Sequence, residues 1–260
     1  MHTRHRKSKK RPARAKPEVM MSRLTLAIGG QPVKVEAMVP SRPTRPHLML
    51  ALFRELANAV VDAAVASAAE KGEAISCRAG CGACCRQLVP ITPPEAHDLE
   101  AFLRSQPSPR RHEIQMRFAA ARLRLQESDM LETLLHPERV SEDDKEGLAL
   151  RYFGLGIPCP FLEAESCSIH PRRPIVCREY LVTSDPAHCA TPRPDTIRMV
   201  TLAGKVSSAL ARVDSGDGEG EPWVPLIVAA EWSHAHPDQG AALPAPDILQ
   251  KVLANLEKEE

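Results

Sequence analysis

Four cysteines fall within nine residues, Cys77, Cys81, Cys84 and Cys85, in the stretch Ser76-Cys-Arg-Ala-Gly-Cys-Gly-Ala-Cys-Cys85. Gly80 and Gly82 lie between them and permit the tight backbone that such a loop needs. A second group, Cys159, Cys167, Cys177 and Cys189, follows some seventy residues later. So many thiols at such spacing constrain the chain more than any other feature. We read the two groups as halves of one composite metal site.

A thiolate is a soft, charged and compact donor, suited to zinc, iron or an iron–sulfur cluster. Cys81-Gly-Ala-Cys84 has the two-residue gap that turns two sulfurs inward on one ion, and Cys77 adds a third sulfur four residues earlier. Cys85 directly follows Cys84, and neighbouring side chains diverge. Either the two serve different metals or different irons, or one is a bystander. Pro158, Pro160, Pro171 and Pro174 stiffen the second group, as suits a preorganised ligand loop. Structural zinc takes about four sulfurs or imidazoles, and an iron–sulfur cluster takes about four thiolates. Eight cysteines therefore allow two four-sulfur sites or one site with spares, and Zn²⁺ and an iron–sulfur cluster remain alternatives.

The residues around the cysteines have competing roles. His170, three residues after Cys167, is read as a turn residue or a donor behind the thiols before it is read as a ligand. Arg178, Glu179 and Tyr180 follow Cys177; Arg178 either offsets thiolate charge or makes a surface salt bridge. Thr92-Pro-Pro-Glu95 is a helix cap rather than a catalytic acid.

Together these pieces carry a resemblance. Cys77-x3-Cys81-x2-Cys84-Cys85, then Cys159-Pro-Phe-Leu, Cys167-Ser-Ile-His and Arg-Pro-x-x-Cys177-Arg-Glu-Tyr resemble the CxxCxxCC (YkgJ-type) cysteine-cluster family, which is associated with zinc or iron chelation. The resemblance implies that Cys77, Cys81, Cys84, Cys85, Cys159, Cys167 and Cys177 are the metal ligands, with Cys189 outside the core motif. The first gap is three residues where the family name has two. A similar cluster occurs in flagellin lysine methylase, so the resemblance also admits an iron–sulfur-dependent redox or group-transfer enzyme related to methylation.

Other chemistry finds less support. There is no Gly-rich nucleotide loop, no pair of catalytic carboxylates and no nucleophile motif. Cys77-x3-Cys81-x2-Cys84 matches the radical-SAM spacing, but the chain has too little β pattern for a barrel. Thiol exchange at Cys81 and Cys84 would need a βαβ unit, which the pattern lacks.

Charge is uneven. The chain has 34 Lys and Arg against 33 Asp and Glu. Eight of those cations lie in the first sixteen residues, which leaves 26 against 33 in the rest. A disordered basic tail over residues 1–20 is expected, and a nucleic-acid contact is confined to it. A protein partner is left open. No run of about 20 apolar residues suggests a membrane span, and no apolar region follows the basic start as in a secretory signal. A cytoplasmic location with reduced thiols is therefore expected.

The fold is expected to be mainly α, with a small N-terminal β-hairpin and irregular cysteine-rich loops converging on a metal site. Three parts are read: the tail to residue 20, a hairpin and Pro-rich linker over 21–45, and a mainly helical cysteine-cluster domain over 46–260. Alternation in Leu24–Ile28 and Val33–Ala37 around Gly29-Gly30 predicts the hairpin. Met49, Leu52, Phe53, Leu56, Val60, Ala63 and Ala64 recur at helical steps and predict a helix over 47–71, stopped by Gly72. Helices are also predicted over 93–104, 108–126 and 130–135, from Ser141 onward, at 206–213 and over 247–257. Residues 159–189 are expected to be mostly loop, and 223–230 are ambiguous.

Overall fold

The computed structural model describes residues 19–28, 31–193, 195–213 and 222–256. The expected basic tail up to residue 18, the Gly29-Gly30 turn and the acidic loop 214–221 lie outside the described residues. The architecture is mainly α with some β.

The N-terminal hairpin pairs β1 (Val19–Ile28) with β2 (Gln31–Pro40), in register from Val19↔Pro40 to Ile28↔Gln31. Its strands run several residues beyond the predicted ones. Val35 and Val39, on one face by the two-residue period, are buried against the long helix α1 (Leu50–Glu70). The segment 40–46 is not the free linker its prolines suggest. Thr44 keeps an N–H, donates it to the Leu243 carbonyl (2.7 Å), and accepts from Leu243 N–H (2.8 Å).

α1 forms because apolar residues recur every three or four positions along it. Leu52, Phe53, Leu56 and Ala57 are fully shielded from solvent. The helix stops where Gly72 takes a φ of +76°, a left-handed backbone that other residues avoid. Against α1 pack Ile175 of α6 (Ile175–Glu179), α7 (Val206–Ala211) and α9 (Ala245–Leu256). Removing Phe53's ring from such a site would cost about 3–5 kcal/mol.

A second apolar cluster surrounds α2 (Pro93–Ser105). The predicted capping box is present: Glu95 N–H donates to Thr92 Oγ1 (3.4 Å), and Thr92 N–H donates to the Glu95 carboxylate (3.0 Å). Just before it, β3 (Pro90–Ile91) pairs with β6 (Val224–Pro225). The ambiguous stretch 223–230 is both things in turn: a short strand, a tight turn, then α8 (Ala229–Ala235). A third cluster joins α3 (Ser108–Glu127), α4 (Leu131–Leu135) and α5 (Glu142–Gly154).

Residues 159–189 are more ordered than expected. They hold a small hairpin, β4 (Leu162–Glu163) with β5 (Ser166–Cys167), and α6. Alternation cannot reveal two-residue strands, so sequence periodicity had no purchase there. Among the described residues, no helix is long and apolar enough to cross a membrane.

Candidate metal centre

The first cysteine loop is built by turns rather than by a regular element. Ser76 N–H donates to Val182 carbonyl (2.9 Å), tying the loop entrance to the chain between Cys177 and Cys189. Gly80 takes φ +82° and reverses the chain. Cys81 N–H then reaches Arg78 carbonyl (3.2 Å), and a tight turn over Ala83–Arg86 lets Cys85 N–H reach Gly82 carbonyl (3.0 Å).

The second group is brought to the first by backbone. Cys159 N–H donates to the Cys85 carbonyl at 2.7 Å, so the adjacent-cysteine end of the first loop touches the start of the second group. The β4–β5 hairpin sets Cys167 opposite Leu162. Cys177 sits in the middle of α6. Cys189 rides a turn over Pro186–Ala190, started by Ala187 N–H donating to Asp185 Oδ1 (2.8 Å), and that turn packs on the Ala83–Arg86 turn. All eight cysteines are free thiols.

Electrostatically the centre of the group is Cys84. Its charge is felt at Cys77, Cys85, Cys159, Cys167, Cys177 and Cys189. The Cys85 thiol donates to the Cys84 sulfur, which lowers Cys84 to about 7 and pushes Cys85 far up. Burial pushes Cys159 up to about 12 and Cys177 well above the ordinary thiol range. Burial also raises Cys77, Cys167 and Cys189. Burial thus works against the thiolate at Cys77, Cys159, Cys167, Cys177 and Cys189, a cost that a bound cation would offset.

Cations face this niche, Arg173 foremost, with Arg178 acting on Cys167 as well. Arg173 acts on Cys77, Cys84 and Cys167 in the direction that favours their thiolates. Its Nε is buried and has no hydrogen-bond partner. A buried donor left without an acceptor is costly, and a negatively charged metal–thiolate group is the kind of neighbour that would repay it. The donor set and this orphaned donor both fit zinc or iron.

Residues 76–192 match the CxxCxxCC family. That family is described as a "putative zinc- or iron-chelating domain", and the matched segment contains every one of the eight cysteines. No curated protein and no solved structure matches the chain.

Within the CxxCxxCC segment, buried polar groups wire the second cysteine group to the helices. Arg178 is not a surface salt bridge. It is buried and donates to the carbonyls of Pro171 (2.7 Å) and Arg173 (3.2 Å) and to Asn58 Oδ1 of α1 (2.8 Å). Glu95, besides capping α2, accepts from the N–H of Ile175 (2.7 Å), the first residue of α6. The Glu179 carboxylate accepts from the hydroxyl and N–H of Ser207, and burial holds it at about 7. Asp98 of α2 bridges Arg54 of α1 (2.6 Å) and Arg172 (2.8 Å). Gln87 Nε2 donates to the Tyr180 hydroxyl (3.1 Å), joining the chain just after Cys85 to the chain just after Cys177.

Cys77, Cys81, Cys84, Cys85, Cys159, Cys167 and Cys177 are thus gathered in one region. Among the described residues, no three His, Cys, Asp or Glu side chains already stand as a finished ligand set. Since Zn–S bonds are about 2.3 Å, an ion would have to draw the sulfurs inward. His170 is exposed at the start of a one-turn helix, and its neighbours Arg173 and Arg178, after partial burial, disfavour its charge. Cys189 is the residue that sequence reasoning left out. It is buried, and Cys77, Cys81 and Cys84 all act on it. The usable signal was simply that it is the eighth cysteine, since its distance from the motif carried no information about space.

Proposed function

We propose that this chain is a cytoplasmic metal-binding protein whose thiols hold zinc or iron, the iron as an iron–sulfur cluster. The observation that carries the reading is the gathering of six thiols around Cys84 beside an unpartnered buried Arg173 Nε. The mutual influences describe two overlapping sets that share Cys84. Cys77, Cys81, Cys84 and Cys189 form an outer set. Cys85, Cys159, Cys167 and Cys177, again with Cys84, form an inner one. Cys84, which accepts from the Cys85 thiol, joins the two sets. Zinc would supply a structural cross-link here, and an iron–sulfur cluster would add electron transfer.

Anaerobic purification with metal and acid-labile sulfide analysis and a visible spectrum tests the reading. Stoichiometric zinc, or iron with sulfide and a brown colour, is expected. Folded, colourless, metal-free protein that takes up neither metal on reconstitution overturns it. Cys189→Ser should remove about half the bound metal; full retention would reduce the reading to the inner set alone. A second reading, an iron–sulfur-dependent redox or group-transfer enzyme related to methylation, is favoured by one observation, an open cleft at Cys81. Cleavage of S-adenosylmethionine by the reconstituted protein would support it.

A further inference from the structure

The tip of the β4–β5 hairpin leans on the first cysteine loop, and the contact is specific. Arg86, at the end of the Ala83–Arg86 turn, grips Glu165 with both guanidinium nitrogens (3.0 and 2.7 Å). The same Arg86 Nη1 donates to the Gly82 carbonyl (2.9 Å). One side chain thus straps the hairpin that carries Cys167 to the turn that carries Cys84 and Cys85. Each partner shifts the other as an ion pair should: Glu165 is lowered by its hydrogen bond from Arg86, and Arg86 is raised.

Two further features show that the backbone is shaped for this grip. The hairpin turn is made by Ala164 and Glu165 at φ +47° and +55°, a left-handed pair that tight hairpins normally assign to Asn and Gly. Non-glycine residues in that region are uncommon. Opposite, Gly82 leaves no room for a side chain. A Cβ there would stand 2.5 Å from Glu165 Oε2, 2.8 Å from Leu162 Cδ1 and 3.3 Å from Glu165 Cα.

The strap also borders an opening. A cleft of about 380 Å³ is lined by Gly80, Cys81, Gly82, Arg86, Phe153 and Glu165, among others. Cys81 is the cysteine on its wall.

We propose that this cleft is the port through which metal reaches and leaves the thiols, with the Arg86–Glu165 clasp as its latch and Cys81 as the first thiol met. The inference rests on the metal-binding reading above. The donors that would enter are small anionic metal carriers, thiolates or carboxylates, because opening the clasp exposes the Arg86 cation beside Cys81. The clasp is an exposed pair, with 33% and 52% of its two side chains accessible. It is therefore weak enough to open often and sensitive to salt.

The test reads the latch with and without metal. In metal-free protein, alkylation of each cysteine by iodoacetamide is followed by peptide mass spectrometry. Glu165→Gln should speed Cys81 modification about two- to fivefold, the range expected for losing one exposed ion pair. Cys177 should be unchanged, and Cys77, which is exposed but outside the cleft wall, serves as the internal control. The charge-swapped double variant Arg86→Glu with Glu165→Arg should return Cys81 toward the wild-type rate. Raised salt should accelerate Cys81 in the wild type and not in Glu165→Gln. In metal-loaded protein, Glu165→Gln should release metal faster to EDTA, which is anionic, than to a neutral chelator such as bipyridine. An unchanged Cys81 rate in Glu165→Gln overturns the port, and so does an equal acceleration of all eight cysteines, which would mark general loosening. Failure to bind metal at all would sink the reading beneath it while the alkylation series still decides the latch.

Discussion

The two cysteine groups are held in opposite ways. Cys77 to Cys85 hang on a chain of turns, with Gly80 and Gly82 in place of side chains and Cys77 exposed. Cys159 to Cys177 are fastened to the helices: Phe161, Ile169 and Ile175 are buried in the cores, and Arg178, Glu95 and Glu179 tie the intervening backbone to α1, α2 and α7. The second group is therefore a fixed platform, while the first is a flap that its own packing does not fasten. A protein that must admit an ion needs one side able to move, and local stability follows buried contacts. Direct fasteners between the sides include the Ser76–Val182 and Cys159–Cys85 backbone bonds, the Gln87–Tyr180 bond and the Arg86–Glu165 clasp.

The largest expected effect comes from metal removal. A ligand at about a thousand times its dissociation constant stabilises the folded state by about 4 kcal/mol. Chelation should lower the melting temperature accordingly, and hydrogen exchange should show protection lost first over residues 76–87 and little changed over 169–180. Equal loss in both would erase the contrast between platform and flap.

Next is the platform itself. Glu95→Ala orphans the buried N–H of Ile175 and removes the α2 cap. Bonds to a charged acceptor are worth about 1.5–3 kcal/mol each, so about 3 kcal/mol should be lost in denaturant unfolding. An effect under about 0.5 kcal/mol would mean that α6 is held mainly by its apolar contacts.

Gly82→Ala should act where the flap meets the β4–β5 hairpin. The new Cβ meets the β4–β5 tip, so metal retention should fall while the stability of the metal-free protein drops by about 1 kcal/mol, the low end of what overpacking costs. A midpoint drop as large as that of Glu95→Ala would place the flap within the platform's cooperative unit.

The smallest effect is a matter of pH and lies away from both groups. Burial lowers His97 of α2, which stands beside His47 and Trp232. The unfolded chain then takes up the proton more readily than the folded one. Stability is whole above the unfolded value near 6.5 and falls as pH drops from there toward the depressed folded value. His97→Gln should flatten that decline in pH-dependent melts. An unaltered slope would assign the decline to other groups.

Much of the scaffold was legible in the amino-acid order. The period of α1, the Thr92–Glu95 box and the Ser141 cap are local signals, written within four residues, and the helices formed where those signals put them. The site was legible as chemistry but not as geometry. Seven cysteines were legible as candidate ligands from their spacing and their resemblance to a family motif. Cys189 and Arg173 acquire their places only when the Pro186–Ala190 turn and the approach to α6 fold against the first loop. The Arg86–Glu165 clasp joins residues 79 positions apart.

By itself, then, the order of residues determined which atoms could bind a soft cation and where the helices run, because propensity, capping and thiol chemistry act over a few residues. The tertiary structure decided which thiols are neighbours, which cations face them and which of the two groups is the fixed one. The cost of closing a loop rises only slowly with its length, so separation along the chain says little about separation in space.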